Sequence, residues 1–261
     1  MPKRAGGTGD IQAVHRVAEI LRLFTVHQPK ITVAEAAAQI GLNRTTVHRY
    51  FGSLVLDNIL EHDPDEPSAF VPGRLLLQLG AVAHGQRGVL DVAPRHLRLL
   101  SLEAELTVVL SLWGEAGPVV SLVSETGTEP ILITVRLGTT LDLGSAQTKL
   151  FAAFLRDRDS VDHYLSKYSK AERQTFEAEL GSCHARGLAR NDMPHLDAVV
   201  LAAAVFDEDD IAATIALIGT TSSLSARSKA KEQALVRQAY KITEEMGGAE
   251  LWHQCVASIP K

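Results

Sequence analysis

Apolar residues recur at steps of three and four along the first part of the chain: Ile11, Val14, Val17, Ala18, Leu21 and Phe24. That period marks one face of a helix, and Pro29 is expected to end it. Thr32 and Glu35 then stand three apart ahead of an apolar run, the pattern of a reciprocal cap at a helix start. Ala36, Ala37 and Ile40 give this second helix a narrow apolar face. Gly41 stands where a left-handed residue would close it. Asn43 is placed to cap a third helix, with Val47, Phe51 and Leu54 facing inward. Two short extended pieces follow, around ILEHD and SAFVPG, with Pro64 and Pro67 marking the turn between them. From Arg74 the helical period returns in Leu75, Leu76, Leu79 and Val82, and Gly85 and Gly88 interrupt it.

After another helix over roughly 89–105 the pattern changes. TVVLSLW, PVVSLVSE and ILITVR read as strands separated by GEAG and TGTEP. Helical patterns return around 145–156, 160–167 and 171–186. Strands near 198–206 and 211–219 are joined by DEDD, and a final helix is expected from Ser225 to about Met246. The organisation is α+β. A polar tail over 1–10, expected to be disordered, precedes a mostly helical domain with one hairpin over 11–72. A linker helix spans 73–88, and a mixed domain with an antiparallel sheet flanked by helices covers 89–261.

The stretch TVAEAAAQIGLNRTTVHRYF holds the chemistry of the first domain. Two helices joined through a short glycine turn form a helix-turn-helix unit, whose second helix enters the major groove of DNA. The amino end of that helix offers backbone N–H groups to a phosphate. Arg44 adds a full positive charge beside it. Thr45 and Thr46 can donate to phosphate or touch a thymine methyl group. Arg49 stands one turn further along the outward side, where a guanidinium can pair with guanine, and His48 and Tyr50 flank it. Asn43 completes the candidate nucleic-acid-binding set. The two extended pieces would form a wing along the backbone.

Net charge sharpens this picture. The chain of 261 residues carries −5 at pH 7, so it exerts no global pull on nucleic acid. Residues 1–85 hold eight basic and eight acidic side chains. The charges segregate: acids gather in EHDPDE at the hairpin tip, and no acid falls between Asn43 and Leu56. Binding must therefore rest on a local patch. Two cysteines, Cys183 and Cys255, show neither a metal spacing nor a disulfide framework, which suits a reducing cytoplasm. The start MPKRAGGTGD lacks the apolar core of a signal peptide. No apolar run is long enough to cross a bilayer, so no membrane partner is expected.

The segments IQAVHRVAEILRLF, ITVAEAAAQIGLNRTTVHRYFGSLVLDNILEHD and FVPGRLLLQLG together resemble the IclR family of bacterial transcriptional regulators. TTVHRY, LEHD and GRLLLQLG match its motifs in type and spacing, and a weaker match extends over roughly 11–247. The resemblance implies a winged helix-turn-helix domain, a linker helix used in dimerisation, and a carboxy-terminal domain that binds a small effector. It also implies dimers or tetramers on operators with palindromic or repeated half-sites.

In the family, one wall of the effector pocket opens a helix with a PLHATA.GKA type of motif. The aligned stretch here is LDLGSAQTKLF: Ser145 and Lys149 match, while Leu143 replaces the usual histidine and Thr148 the glycine. A second wall carries an Ala-Ala-rich strand, where Val200 stands near the usual cysteine. A third strand places Ala216 and Ile218 near two usual serines. The implied effector set is Leu143, Ser145, Ala146, Gln147, Thr148, Val200, Ala216 and Ile218. Aliphatic groups at Leu143, Val200, Ala216 and Ile218 point to an apolar or aromatic effector held by burial, with Ser145, Gln147 or Thr148 fixing one polar end.

Enzyme signatures are lacking. No Gly-x-Ser-x-Gly elbow occurs, the lysine of SAQTK is four residues from its serine, and GGTGD follows no strand. His163, His184, His195 and His253 lack zinc spacing, and FDEDD between two apolar strands reads as a solvated hairpin turn. No catalytic residue, metal or cofactor is expected. The expected function is sequence-specific DNA binding modulated by a small effector. The alternative is a helical oligomerisation scaffold or small-molecule-binding protein that does not touch DNA.

Overall fold

The computed structural model of the protein describes residues 11–85, 88–125, 133, 135–224 and 229–256. The chain divides into two compact units, Met1–Gln86 and Arg87–Lys261.

The first unit contains α1 (Gln12–Leu21), β1 (Ile31–Thr32), α2 (Val33–Ile40), α3 (Arg44–Leu56), β2 (Leu60–His62), β3 (Ala69–Pro72) and α4 (Arg74–Gly85). Helix α1 ends earlier than Pro29 would require. Arg22 is its C-cap, and Thr25 and Gln28 exchange backbone hydrogen bonds in a turn that leaves Phe24 outside the helix. The Thr32–Glu35 reciprocal cap forms as the spacing predicts. It holds the Glu35 carboxyl below its usual range, because the Thr32 backbone N–H and hydroxyl both donate to it. Gly41 closes α2 at φ 67°, a conformation an L side chain resists. Strands β1, β3 and β2 make a three-stranded antiparallel sheet in that order. The core joins Ile20, Ala36, Val47, Phe51, Leu54, Leu60 and Phe70, with the rings of Phe51 and Phe70 edge-to-face at 4.7 Å. Burial of these seven side chains orients α3, because its three inward residues occupy one stripe.

The second unit contains α5 (Gly88–Ala104), β4 (Thr107–Gly114), β5 (Gly117–Ser124), α6 (Ala146–Phe154), α7 (Arg158–Leu165), α8 (Lys170–Arg186), β6 (Leu188–Met193), β7 (Ala198–Phe206), β8 (Ile211–Thr220), α9 (Lys229–Glu245) and α10 (Ala249–Cys255). Five strands form one antiparallel sheet, ordered β5-β4-β8-β7-β6. Helices α5 and α9 cover one face; α6 packs on the other, and α8 packs on α6. His96 on α5 ties the first pair together: its Nδ1 lies 2.9 Å from Gln238 Oε1 and its Nε2 3.0 Å from Glu245 Oε1. DEDD forms the β7–β8 turn, with the Asp207 carboxylate accepting from the N–H groups of Asp209 and Asp210.

The polar tail over 1–10 and the start of the last helix at 225–228 lie outside the described residues. Half of the strand expected over 131–136 lies outside them too, and its described residues, Ile133, Val135 and Arg136, are not in a strand. Strand β6 and helix α10 are additions to the sequence reading. LARNDM is buried at Leu188 and Ala189 and more open from Arg190 on, and it reads as polar because β6 is an edge strand with one partner. Among the described residues, no helix is long and apolar enough to cross a membrane.

Candidate functional site

Helix α3 starts behind Asn43, whose Oδ1 accepts from the Thr45 backbone N–H at 2.8 Å. Its inward stripe of Val47, Phe51 and Leu54 is buried. With that face fixed, Arg44, Thr45, Thr46, His48 and Arg49 are all exposed, and Tyr50 is half-buried at the edge of the core. Asn43 is exposed as well, but its amide oxygen is already engaged in the cap. Thr46, Arg49, Tyr50 and Ser53 line a shallow groove of about 310 Å³ on this surface. Ser53 belongs to the same outward face although the motif does not single it out. It is one turn beyond Arg49, and its hydroxyl donates to the Arg49 carbonyl at 3.2 Å.

Electrostatics separates this face from the wing. Among the described residues, neither the Arg44 nor the Arg49 guanidinium has an ion pair. Lys30 instead meets Glu66 at 3.0 Å and Asp63 at 3.7 Å, and its hydrogen bond to Glu66 raises its pKa. Arg74 donates to Glu61 at 2.8 Å and holds that carboxyl below its usual range. The acids of the hairpin thus occupy neighbouring cations and leave the two arginines of α3 open. A helix with free guanidinium groups, hydroxyls and no acid is suited to phosphate oxygens and guanine edges.

In the second unit, α6 starts behind Ser145, whose Oγ accepts from the Thr148 N–H at 3.0 Å. Thr148 Oγ1 donates to the Asp142 carbonyl at 2.7 Å. Gln147 donates to Ser111 Oγ at 2.7 Å across the sheet face. Ser111 pairs with Thr214 in register, and side chains alternate along a strand. Ala216 and Ile218 therefore share that face, as do their β7 partners Ala202 and Val200. The structure thus gathers Gln147, Val200, Ala216 and Ile218 on one side of the sheet, the side α6 covers. Ala146, Gln147, Thr148, Ala216 and Ile218 are closely packed, while Leu143, Ser145 and Val200 are half-buried.

A cavity of about 620 Å³ opens beside them, between the loop before α6, helix α8 and strand β6. Leu143 lines it, together with Lys149, Tyr168, Thr175, Glu179 and Asn191. Asn191 is the register partner of Val200, so the cavity ends one strand away from the expected apolar set. Lys149 is nine-tenths buried and meets Glu179 at 2.5 Å. The sequence motif contains Lys149 but gives no sign of Glu179 or Asn191, which come from distant elements. Among the described residues, no group of three or more His, Cys, Asp or Glu side chains could hold a metal ion. Cys183 is buried, and burial pushes its thiol pKa up, which is the opposite of an activated nucleophile.

Comparison with known proteins agrees with this geometry. Residues 13–64 match the model of the IclR helix-turn-helix domain. The HTH-type transcriptional regulator TtgV of Pseudomonas putida is 27% identical over 255 residues, covering 94% of this chain and 95% of TtgV. The structure of an IclR transcriptional regulator from a Silicibacter species superposes with a TM-score of 0.81 at 21% identity, over 95% of this chain and all of that one. An IclR homologue from Microbacterium hydrocarbonoxydans, complexed with 4-hydroxybenzoate, gives a TM-score of 0.73 at 17% identity, over 90% and 99%. The domain match over α1 to β2, the outward arginines of α3 and the near full-length similarity to TtgV agree: residues 13–64 match the IclR helix-turn-helix domain, and the chain as a whole is similar to an HTH-type transcriptional regulator and shares the fold of IclR-family structures.

Proposed function

We propose that the chain binds operator DNA by setting α3 in the major groove, with Arg49 reading a base and Arg44, Thr45 and Thr46 holding the backbone. The observation that carries this reading is the exposed outward face of α3, where both guanidinium groups are free while Lys30 and Arg74 are occupied. Arg49→Ala is expected to weaken specific binding by ~1–3 kcal/mol and relax preference at one base, whereas Arg44→Ala weakens all sequences alike. Gel shifts against matched and single-mismatch duplexes check this. Unchanged binding by Arg49→Ala would sink the assignment.

The protein acts as a homodimer or a dimer of dimers. Leu75, Leu79 and Val82 recur on one side of α4, and Leu79 and Val82 are more than half exposed, as residues buried between chains would be in a lone subunit. The effector occupies the cavity beside α6. Its volume falls in the range of small-molecule sites. Leu143, Tyr168 and Phe176 offer apolar surface, and Lys149, Thr175 and Asn191 offer the polar end that Ser145, Gln147 and Thr148 were expected to supply. Those three are already hydrogen-bonded within the fold. The Microbacterium homologue is complexed with an aromatic acid, 4-hydroxybenzoate, which supports an aromatic effector class. Binding shifts the placement of the DNA-reading units if the ligand favours one arrangement. Titration calorimetry with aromatic compounds is expected to show heat of binding. Tight binding of glyoxylate-like acids with none of aromatic compounds rejects this effector class.

A further inference from the structure

Gly52 lies inside α3, eight residues after its start and four before its end. A glycine in a helix interior costs stability relative to alanine, because it has more backbone freedom to lose. Glycines that persist in such places usually have a conformational or a packing reason. Among the described residues of its own chain, Gly52 has neither. Its backbone is helical and its φ is not positive, so any residue could adopt it. A Cβ built there would meet nothing within 4 Å. By contrast, a Cβ at Gly73 would fall 2.4 Å from the Asn58 carbonyl oxygen, a plain internal reason for glycine.

The position of Gly52 suggests what the missing side chain leaves room for. At 100° per residue, Gly52 falls about 20° from Thr45 and about 60° from Arg49 around the helix axis, opposite the buried stripe of Val47, Phe51 and Leu54. It sits one turn beyond Arg49 and beside Ser53, which lines the groove that Arg49 also lines. We infer that Gly52 is a positioning residue for DNA binding. By presenting bare backbone in the middle of the outward face, it lets a duplex approach α3 closely enough for Arg49 to reach a base edge. This rests on the reading of α3 as the DNA-contacting helix. It adds that the contact extends past Arg49 to the second half of the helix, and that the fit there excludes even a methyl group.

The test compares the wild-type chain with Gly52→Ala, Gly52→Leu, Arg49→Ala and Gly181→Ala. The probe is a duplex that the wild-type protein selects from a random-sequence library. Gly181 is the control: it too is exposed inside a helix, α8, with nothing within 4 Å of a built Cβ. Gly52→Ala is expected to weaken DNA binding about tenfold to a hundredfold, the effect of one extra methyl in a close-packed contact. Gly52→Leu weakens it further. At the same time Gly52→Ala raises the melting temperature of its unit by about 4–8 °C, as helix propensity dictates. Oligomer mass by light scattering stays at the wild-type value. Gly181→Ala is stabilised without loss of DNA binding.

Wild-type affinity in Gly52→Ala, alongside a clear loss in Arg49→Ala, overturns this inference and leaves α3 as the reading helix. A lowered melting temperature or altered oligomer mass in Gly52→Ala also overturns it, because the glycine would then serve the protein's own packing. Failure of the wild-type chain to select any duplex, or unchanged binding in Arg49→Ala, overturns both.

Discussion

Helices α3 and α6 begin alike and end in opposite environments. Each starts behind a side-chain cap, Asn43 in one case and Ser145 in the other. Each carries a polar run in its first turns, RTT and QTK. In α3 burial touches only Val47, Phe51 and Leu54, and the polar residues point away from the protein. In α6 every residue from Ala146 to Ala152 is buried. Its polar groups are satisfied inside: Gln147 by Ser111, Thr148 by Asp142, Lys149 by Glu179. A polar side chain in a motif therefore indicates a partner only when its donors are not already taken. On α3 those side chains are exposed and open to an outside partner; on α6 most of the partner is the fold itself.

Substitutions can break this comparison, and the largest effect belongs to the buried helix. Phe151 is fully buried on α6 against the sheet. Phe151→Ala is expected to cost ~3–5 kcal/mol of the second unit's stability, measured by denaturant unfolding. Arg49→Ala on α3 is expected to leave stability within ~0.5 kcal/mol of wild type while DNA binding falls, the opposite division of effects. A large stability loss in Arg49→Ala would erase the distinction between the two helices.

The caps should behave alike in both environments. Asn43→Ala and Ser145→Ala are each expected to cost about 1 kcal/mol, because each leaves one amide at a helix start without its side-chain acceptor. The smallest effect concerns Glu35 in the cap of α2. Its folded pKa is lowered by hydrogen bonds from Thr32, so its contribution is present at neutral pH and fades as pH falls through the carboxylate range. The melting-temperature gap between wild type and Glu35→Gln is expected to be widest at neutral pH and to close in acid. A gap that widens in acid would show that the carboxylate is not the stabilising form.

The first unit was readable because its signals are local. Thr32 with Glu35, Gly41 and Asn43 each act on backbone groups a few residues away, and all three behave as the spacing predicts. Where tertiary contacts intervene the reading weakens. Phe24 continues the helical period, yet α1 stops at Leu21 because the chain turns at Thr25–Gln28. Edge strand β6 escaped notice because Arg190, Asn191 and Asp192 read as loop. Its ladder to β7 and the Arg190–Asp192 pair at 2.7 Å make it a strand. The effector set was read from the stretch that opens α6 and from two strands, and Gln147, Val200, Ala216 and Ile218 share one side of the sheet. The cavity, however, lies beside that layer, with Leu143 at its wall.

From sequence alone follow the two-part organisation, the helix-turn-helix, and the absence of acid on α3, because capping, turn chemistry and periodicity act between neighbours in the chain. Tertiary structure decided which polar groups remain free. Lys30 and Arg74 are neutralised by hairpin acids, and Lys149 is joined to a glutamate thirty residues on. Hydrogen bonds and ion pairs saturate through space, so the availability of a donor depends on which distant residues the packed core has brought within reach.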